Sequence, residues 1–205
     1  MGSCIIPKDF FLNADVHHIA KSLLGCILYT NIDDRITAGI ITETESYAGI
    51  EDKACHAYGG RKTKRTRPMY EEGGILYIYK CYGLHHLLNI VTHKKEEPYA
   101  ILIRSIEPLI GIETMLKRRN KQQLDLSLTC GPACVTKALG IGMEHNQIPF
   151  KKDLIWIENN KAYTDDEIIS CKRIGIDYAQ EFALKPWRYL IKDHPWVSQK
   201  KKIKT

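Results

Sequence analysis

The segment ETESYAGIEDKACH (43–56) contains the residue types that acid–base chemistry beside a planar ligand requires. It continues the apolar run AGIIT, which predicts a β-strand ending near these residues. Side chains alternate between the two faces of a strand, so Glu43, Glu45 and Tyr47 would share one face if the strand continues. A carboxylate beside aromatic rings can hold an activated water next to a stacked planar group. The alternative is a solvated strand end, which is commonly polar for trivial reasons.

A second segment, GILYIYK (74–80), places two further aromatic side chains on one strand face. Tyr77 and Tyr79 are two residues apart, so a strand would direct both rings to the same side. Together with an acid they could build a pocket wall. Tyrosine also favours strands for packing reasons alone, so the spacing leaves both interpretations open. A lone histidine such as His56 is more typical of the surface or the core.

Basic residues are clustered along the chain, which has 205 residues and a formal charge of +6. RKTKRTR (61–67) alternates arginine with lysine and hydroxyl residues, a pattern that suits contact with phosphates. KRRNK (117–121) is a second cluster that suits a polyphosphate surface. For the tail KKKIK (200–204), a solvated lysine-rich end is the simpler interpretation.

Length and composition favour a single globular domain, 1–205. Hydrophobic residues make up 44% and charged residues 26% of the chain, which excludes a disordered protein. No apolar run is long enough to span a membrane, and the start lacks a secretory pattern, so we expect an intracellular protein. Seven cysteines without a C-x-x-C pair predict reduced thiols. Cys130 and Cys134 are alternative metal ligands, but their spacing does not fit common zinc modules, so no metal is expected.

Hydrophobic spacing predicts an antiparallel sheet with flanking helices, an α+β fold. The predicted helices are 14–25, 107–119 with Pro108 in its first turn, and 131–140. The predicted strands are 26–30, 35–46, 74–80, 87–91, 99–106, 154–158 and 188–192, and a short connection containing Gly83 joins the third to the fourth. No dinucleotide fingerprint, Walker loop, nucleophile elbow or H-E-x-x-H motif occurs in the sequence.

Three long segments carry a resemblance to a known enzyme family. They are ITETESYAGIEDKACHAYGGRKTKRTRPMY (41–70), GILYIYKCYGLHHLLNI (74–90) and ILIRSIEPLIG (101–111). They resemble the core of the alkyladenine (3-methyladenine) DNA glycosylase family of mammalian type. CGPACVTKALGI, RIGI and KPWRYLIKDHPWVS also fit, so the resemblance runs in order from about residue 10 to residue 198 and leaves 199–205 as a basic tail. It implies a curved, open-barrel-like sheet and a protruding hairpin that enters the DNA minor groove.

The resemblance implies a role in base excision repair. The enzyme would flip an alkylated or deaminated purine out of double-stranded DNA, because the target carbon cannot be reached within the stack. It would then hydrolyse the N-glycosidic bond as a monomer, without a cofactor. No lysine falls at the matched pocket positions, so a Schiff-base lyase step is not expected and the product is an abasic site. The compact chain favours a bacterial protein at the nucleoid in the cytoplasm; a eukaryotic one would act in the nucleus.

The resemblance also assigns roles to individual residues. Glu45 matches the general base, Arg104 the residue that orients this base and its water, and the carbonyl of Ile174 a further water contact. The residues expected to hold the base are Tyr47, His56 and Tyr79 as the sandwich, with Tyr77 and Asn89 as walls. Tyr82 matches the side chain that fills the gap in the duplex. Contacts with the DNA backbone are expected from Arg61, Lys62, Lys64, Arg65 and Arg67.

Two other functions are weighed against this one. A catalytically silent nucleic-acid-binding module would keep the basic face but has no reason to keep Glu45, Arg104 and Asn89 together. A hydrolase or formyl-transfer enzyme acting on a nucleotide-like small molecule would turn over free nucleosides and depend little on salt. The preferred lesion among 3-methyladenine, 7-methylguanine, hypoxanthine and ethenoadenine is left open by the sequence.

Overall fold

The computed structural model describes residues 4–198, in which eight strands form one antiparallel sheet. The strands are β1 Ile27–Ile32, β2 Arg35–Ala48, β3 Leu76–Cys81, β4 His85–Thr92, β5 Tyr99–Ile110, β6 Ile155–Glu158, β7 Ile168–Cys171 and β8 Arg188–Ile191. The α-helices are α1 Val16–Ser22, α2 Ile112–Arg119 and α3 Pro132–Leu139. A kinked 3₁₀ segment, Asp177–Leu184, precedes β8. The basic tail predicted at 199–205 lies outside the described residues.

The long strand β2 is the centre of the sheet. The strand order is β3-β4-β5-β2-β1-β6, and β8 also pairs with β2 and carries β7 on its other edge. The first half of β2 pairs with β1, while its second half, at Glu43–Glu45, pairs with β8. The sheet therefore branches in the middle of β2 and curls into a half-barrel. This confirms the predicted α+β fold with a curved antiparallel sheet.

The two faces of the sheet have different environments. Alternate residues such as Ile101, Ile103 and Ile90 are fully buried in the main hydrophobic core. The helix α1 covers this face, where the Thr44 hydroxyl donates to the carbonyl of Ala20 at 2.9 Å. The residues between them point to the opposite face, as strand alternation requires. That second face carries the polar and aromatic residues singled out in the sequence.

Most predicted elements are confirmed, and the largest error is the helix predicted over 107–119. Its first four residues, 107–110, are the end of β5, where Pro108 pairs with Gly39 next to a register shift. Proline cannot donate to a ladder, but it is tolerated at such irregularities. A Cβ at Gly39 would lie 2.7 Å from Cδ1 of Ile106, so glycine permits the close approach of the two strands. The helix α2 begins only after Gly111, whose φ is 72°.

Smaller differences concern the ends of elements and one strand. The first helix is shorter than the predicted 14–25; the Asp15 side chain caps it by accepting the backbone N–H groups of His17 and His18. The short strand β7 was not predicted, since it depends on pairing with β8 rather than on a strong local pattern. Of the described residues, none belongs to a helix long and apolar enough to cross a membrane.

The basic cluster KRRNK (117–121) has an internal role that the sequence did not indicate. Arg118 donates to the carbonyl of Ile32 at 3.0 Å, and Arg119 donates to the carbonyl of Leu128 at 3.1 Å. These arginines satisfy backbone acceptors between elements. Both side chains therefore have a structural role, and the phosphate contact of the cluster stays a prediction.

Candidate active site

The candidate site is built on a row of paired residues that crosses the sheet from strand to strand. From β3 to β8 the row consists of Tyr77, Asn89, Leu102, Glu45 and Arg188. Directly paired residues on adjacent strands present their side chains on the same face. Strand register alone therefore brings together residues that are far apart in the chain.

Arg104 reaches this face from an irregular position in β5. Glu43 pairs with Ser105 and Thr44 pairs with Ile103, so Arg104 is the extra residue of a β-bulge. Bulges commonly occur next to active sites, where they re-aim a side chain. Here the bulge directs the guanidinium towards the second half of β2, at the branch point of the sheet.

The carboxylate of Glu45 is fully buried and held by groups from three parts of the chain. Its Oε1 accepts the backbone N–H of Ile174 at 2.8 Å and lies 3.2 Å from Nη1 of Arg104, and its Oε2 accepts the Tyr47 hydroxyl at 2.9 Å. Burial opposes the charge of Arg104, but Glu45 and Glu43 outweigh it and raise the pKa of Arg104 above its ordinary value. A permanent cation therefore faces the acid.

A cavity of about 430 Å³ opens on this face of the sheet. Its lining includes Tyr47, His56, Arg65, Tyr77, Tyr79, Tyr82, Asn89, Arg104 and Ile174, all singled out in the sequence. Glu45 lies immediately behind the lining, hydrogen-bonded or ion-paired to Tyr47, Arg104 and Ile174. The volume is in the range of small-molecule and base-sized sites.

Aromatic rings form the walls of this cavity. The ring centroids of His56 and Tyr79 lie 4.5 Å apart at 81°, and those of Tyr77 and Tyr79 lie 5.6 Å apart. Burial raises the pKa of Tyr77 to about 12 and also raises the pKa of Tyr79 and of Tyr47. The phenols are therefore neutral at physiological pH. Their π faces attract electron-poor or cationic rings.

His56 is held as a neutral side chain in this wall. Its Nδ1 lies 2.9 Å from the Tyr77 hydroxyl, and its Nε2 lies 3.3 Å from Nη2 of Arg65. A guanidinium can only donate, so Nε2 is the acceptor and Nδ1 carries the proton. Desolvation, followed by the charges of Arg65 and Arg61, lowers the pKa of His56 to about 4. The imidazole of His56 is therefore uncharged and does not repel a cationic ligand.

The lowered pKa of His56 predicts a loss of stability in acid. The unfolded chain binds this proton near pH 6.5 and the folded chain only near pH 4, so protonation favours unfolding as the pH falls through this window. The free energy of unfolding of the wild type should fall more steeply there than that of a His56→Gln variant. Urea denaturation across the window measures the difference, and parallel curves would contradict the assignment.

A buried ion pair supports Tyr47 from behind. The guanidinium carbon of Arg173 lies 4.8 Å from the Tyr47 ring centroid, and its two Nη atoms donate to both oxygens of Asp52 at 2.5 and 2.8 Å. Both side chains are fully buried. Asp52 also accepts the backbone N–H groups of Ala48 and Ala54. The pair therefore fixes both the Tyr47 ring and the turn that follows β2.

The turn between β3 and β4 presents exposed apolar side chains. Tyr82 and Gly83 have φ values of 50° and 69°. Tyr82 is 91% exposed and Leu84 is 80% exposed. Positive φ is unfavourable for a bulky residue, and the tight turn between β3 and β4 imposes it on Tyr82. The tip of this hairpin is thus a candidate contact surface at the mouth of the cavity.

The five basic residues predicted to contact DNA phosphates do not share one environment. Arg61, Lys64 and Arg67 are exposed and do not line the cavity. Lys62 forms an ion pair with Glu96 at 2.5 Å. The guanidinium carbon of Arg65 lies 5.0 Å from the Tyr79 ring centroid, within the cavity wall. Arg65 is therefore placed to meet a ligand in the cavity as well as a phosphate outside it.

One lysine borders the cavity, although none falls at the positions matched in the sequence. Lys80 is exposed and lies at the mouth. Strand alternation directs it away from the face that carries Tyr79. Lys53, the other lysine near the motif, pairs with Glu181 at 2.8 Å.

The cysteines considered as metal ligands are packed as thiols. Burial raises the pKa of Cys130 to about 12, and Arg119 donates to the sulfur of Cys134 at 3.1 Å. Within residues 4–198, no three His, Cys, Asp or Glu side chains are grouped so that they could hold a metal ion.

Sequence reasoning missed the residues that hold the site together. Asp52, Arg173, Arg188 and Ser198 were not singled out. Arg173 directly precedes Ile174 in the matched segment RIGI, but its partner Asp52 is 121 residues away. No local pattern indicates such a pair, because only the packing of the folded chain brings its members together.

Comparison with known proteins identifies the family. The profile of the methylpurine-DNA glycosylase family matches residues 10–195. A Chlamydia felis protein that carries the name 3-methyladenine DNA glycosylase is 46% identical over 200 residues, which cover 97% of this chain and 100% of that protein. A protein of the same name from Chlamydia abortus is 48% identical over 188 residues, which cover 91% of this chain and 98% of that protein. Another from Clostridium novyi is 42% identical over 197 residues, which cover 93% of this chain and 96% of that protein. The chain belongs to the methylpurine-DNA glycosylase family and is a DNA glycosylase of base excision repair.

Proposed function

We propose that this protein flips alkylated or deaminated purines out of double-stranded DNA and hydrolyses their N-glycosidic bond with Glu45 as the general base. The carrying observation is the position of Glu45, directly behind an aromatic cavity and paired with Arg104. The names of the relatives, which specify 3-methyladenine, support purines as the substrate class.

The cavity walls fit a flipped planar base. The base would stack between Tyr47 on one side and His56 and Tyr79 on the other, all of which line the cavity. Arg173 backs the Tyr47 ring, and its charge is offset by Asp52, so the pair repels a cationic purine little. The guanidinium of Arg65 over Tyr79 must move aside or share the ring when the base enters.

Asn89 is placed to select between purines. Its Nδ2 donates to the carbonyl of Tyr77 at 3.2 Å, which fixes the side chain in the cavity lining. A rigid amide at this wall would crowd the exocyclic amine of guanine. Undamaged guanine is therefore disfavoured by a clash, while an adenine-like or hypoxanthine edge is accepted.

The chemical step follows from the acid and its neighbours. Glu45 takes a proton from a water whose oxygen bonds to C1′ of the flipped nucleotide, and the electrons of the glycosidic bond pass to the purine nitrogen. The sugar gains positive charge in this step, which the nearby carboxylate stabilises. A purine that is already cationic leaves as a neutral molecule and needs no acid, whereas a neutral deaminated purine leaves as an anion that takes a proton from water. The remaining product is an abasic site.

Tyr82 is the proposed wedge in the duplex. Its exposed ring at the hairpin tip would fill the space left by the flipped base and so offset part of the few kcal/mol lost on unstacking. Tyr82→Ser is expected to weaken binding to lesion-containing duplex more than binding to undamaged duplex. Fluorescence anisotropy with both duplexes measures the two losses, and equal losses would remove this role.

The proposed reaction is hydrolysis without a lyase step, in spite of Lys80 at the cavity mouth. A lyase would pass through a Schiff base between an amine and C1′. Borohydride added during turnover should therefore trap no protein–DNA adduct. An adduct that is trapped with the wild type but not with Lys80→Met would show a lyase step through Lys80 and contradict this part of the proposal.

Single-turnover cleavage of four duplexes, each with one of the lesions named above, tests the function directly. Release of at least one base and an alkali-labile strand are expected. A silent DNA-binding module would yield no labile site. A small-molecule enzyme would release bases from free nucleosides, and its binding would depend little on salt. For a DNA glycosylase, the affinity for the duplex should fall steeply with salt, because phosphate contacts release counterions.

The DNA-bound state proposed here is a monomer on a duplex. Arg61, Lys64 and Arg67, which are exposed outside the cavity lining, supply the phosphate contacts. We propose that it acts on chromosomal DNA in the bacterial cytoplasm, since the relatives named above come from bacteria.

A further inference from the structure

Glu43 lies at the centre of a buried charge network that the reaction described above does not use. Its side chain is fully buried. Its Oε1 lies 3.0 Å from Nε of Arg104, 2.9 Å from Nη1 of Arg188 and 2.8 Å from Oγ of Ser198. Its Oε2 accepts the hydroxyl of Ser105 at 3.1 Å and the backbone N–H of Ser198 at 2.6 Å. These donors use the whole acceptor capacity of a carboxylate.

The saturation of Glu43 separates the roles of the two acids on β2. Glu43 has no acceptor position left for an attacking water. The Oε2 of Glu45 accepts from the Tyr47 hydroxyl and keeps a second lone pair. Glu45 is thus the acid that can take a proton, which strand alternation by itself does not decide.

Arg104 links the two acids mechanically and electrically. Its Nε binds Glu43 and its Nη1 faces Glu45, and the side chain is 7% exposed. A guanidinium is planar and rigid, so anchoring one nitrogen fixes the direction of the others. The position of Arg104 against Glu45 is therefore set from behind by Glu43.

We propose that Glu43 is a positioning residue for excision, which anchors Arg104 against Glu45 and shares the positive charge of Arg104. This inference rests on the function proposed above. Arg188 belongs to the same network. It forms the second ion pair with Glu43, and it lies opposite Glu45 in the register between β2 and β8. Two acids and two arginines thus balance within one buried cluster.

The charge balance predicts that removing the charge of Glu43 and removing that of Arg188 have opposite effects on the proton affinity of Glu45. Without the charge of Glu43, Arg104 acts on Glu45 alone and lowers its affinity for a proton. Without the charge of Arg188, Glu43 is less compensated and its repulsion raises that affinity. Both effects are strong because the cluster is shielded from water. The other titratable or charged groups facing Glu45 are Tyr47 on β2, Tyr79 on β3, Cys171 on β7 and Arg173 beyond it, and they are the same in every variant.

The test is the pH dependence of single-turnover excision from one lesion duplex. Compared with the wild type, the acid limb of the profile should move to lower pH in Glu43→Gln and to higher pH in Arg188→Gln, each by roughly one pH unit. The maximal rate should fall by about 10–100-fold in Glu43→Gln, because the base and its water lose their alignment. Glu43→Asp keeps the charge and should keep the acid limb near its wild-type position.

The outcomes separate this inference from the function on which it rests. Limbs that do not move, or that move in the same direction, overturn the positioning role. A wild type that releases no base from any lesion duplex overturns the function itself. If Glu43→Gln does not fold, the double variant Glu43→Gln/Arg188→Gln removes both charges and should return the limb from its Arg188→Gln position to that of the wild type. A double variant that keeps the Arg188→Gln profile also overturns the inference.

Discussion

Glutamine in place of Glu45 is expected to lower the single-turnover rate of base excision by about 10²–10⁴-fold, the usual contribution of a general base. The amide oxygen can still accept from the backbone of Ile174 and face Arg104, so the cavity should keep its shape. The amide cannot take a proton from water at neutral pH. Affinity for a duplex with an abasic-site analogue should stay nearly that of the wild type, as measured by fluorescence anisotropy.

The matched control for this variant is Glu113→Gln. Glu113 is an exposed acid in the first turn of α2, and its replacement removes the same charge outside the row that crosses the sheet. We expect it to leave both the excision rate and the affinity unchanged. An enzyme that lacks the Glu45 carboxylate and still cleaves at the wild-type rate would eliminate Glu45 as the base.

The Asp52→Asn substitution is expected to lower the free energy of unfolding by about 3–5 kcal/mol, because it leaves the charge of Arg173 buried without its partner. Both members of this pair are fully buried, and Asp52 also accepts the N–H groups of Ala48 and Ala54. An asparagine can satisfy only some of these donors. Urea denaturation should show a lower midpoint with an unchanged m-value.

Two further variants make the expected loss specific to burial. Asp165→Asn breaks the ion pair with Lys21, in which the Asp165 side chain is 83% exposed, and should cost less than about 1 kcal/mol. Adding Arg173→Met to Asp52→Asn removes the unpaired charge and should recover part of the stability. The double variant should not regain the excision rate of the wild type, because the Tyr47 ring has lost the Arg173 guanidinium behind it. A loss in Asp52→Asn no larger than that in Asp165→Asn would contradict the role of the pair.

The sequence by itself determined the faces on which the chemical groups lie. Strand alternation predicts that Glu43, Glu45 and Tyr47 share one face and that Tyr77 and Tyr79 share one face. In the structure both acids contact Arg104, Tyr47 donates to Glu45, and both tyrosines of β3 line the cavity. The helix α3 could also be predicted from its first-turn proline and the glycine that ends it. These features are local, because the side-chain period and the backbone preferences of Pro and Gly act within one element.

Only the tertiary structure decided which residues act together. The row from Tyr77 to Arg188 exists because five strands pair in one register, and the bulge that turns Arg104 depends on the partner strand. The end of β5, residues 107–110, is extended for the same reason. Pairing with β2 imposes this form, although Pro108 resembles the first turn of a helix in the sequence. Ion pairs between residues 61 to 145 positions apart, such as those on Glu43, leave no periodic signal in the chain. Their partners are set by packing, which brings buried charges together because an unpaired one is too costly to bury.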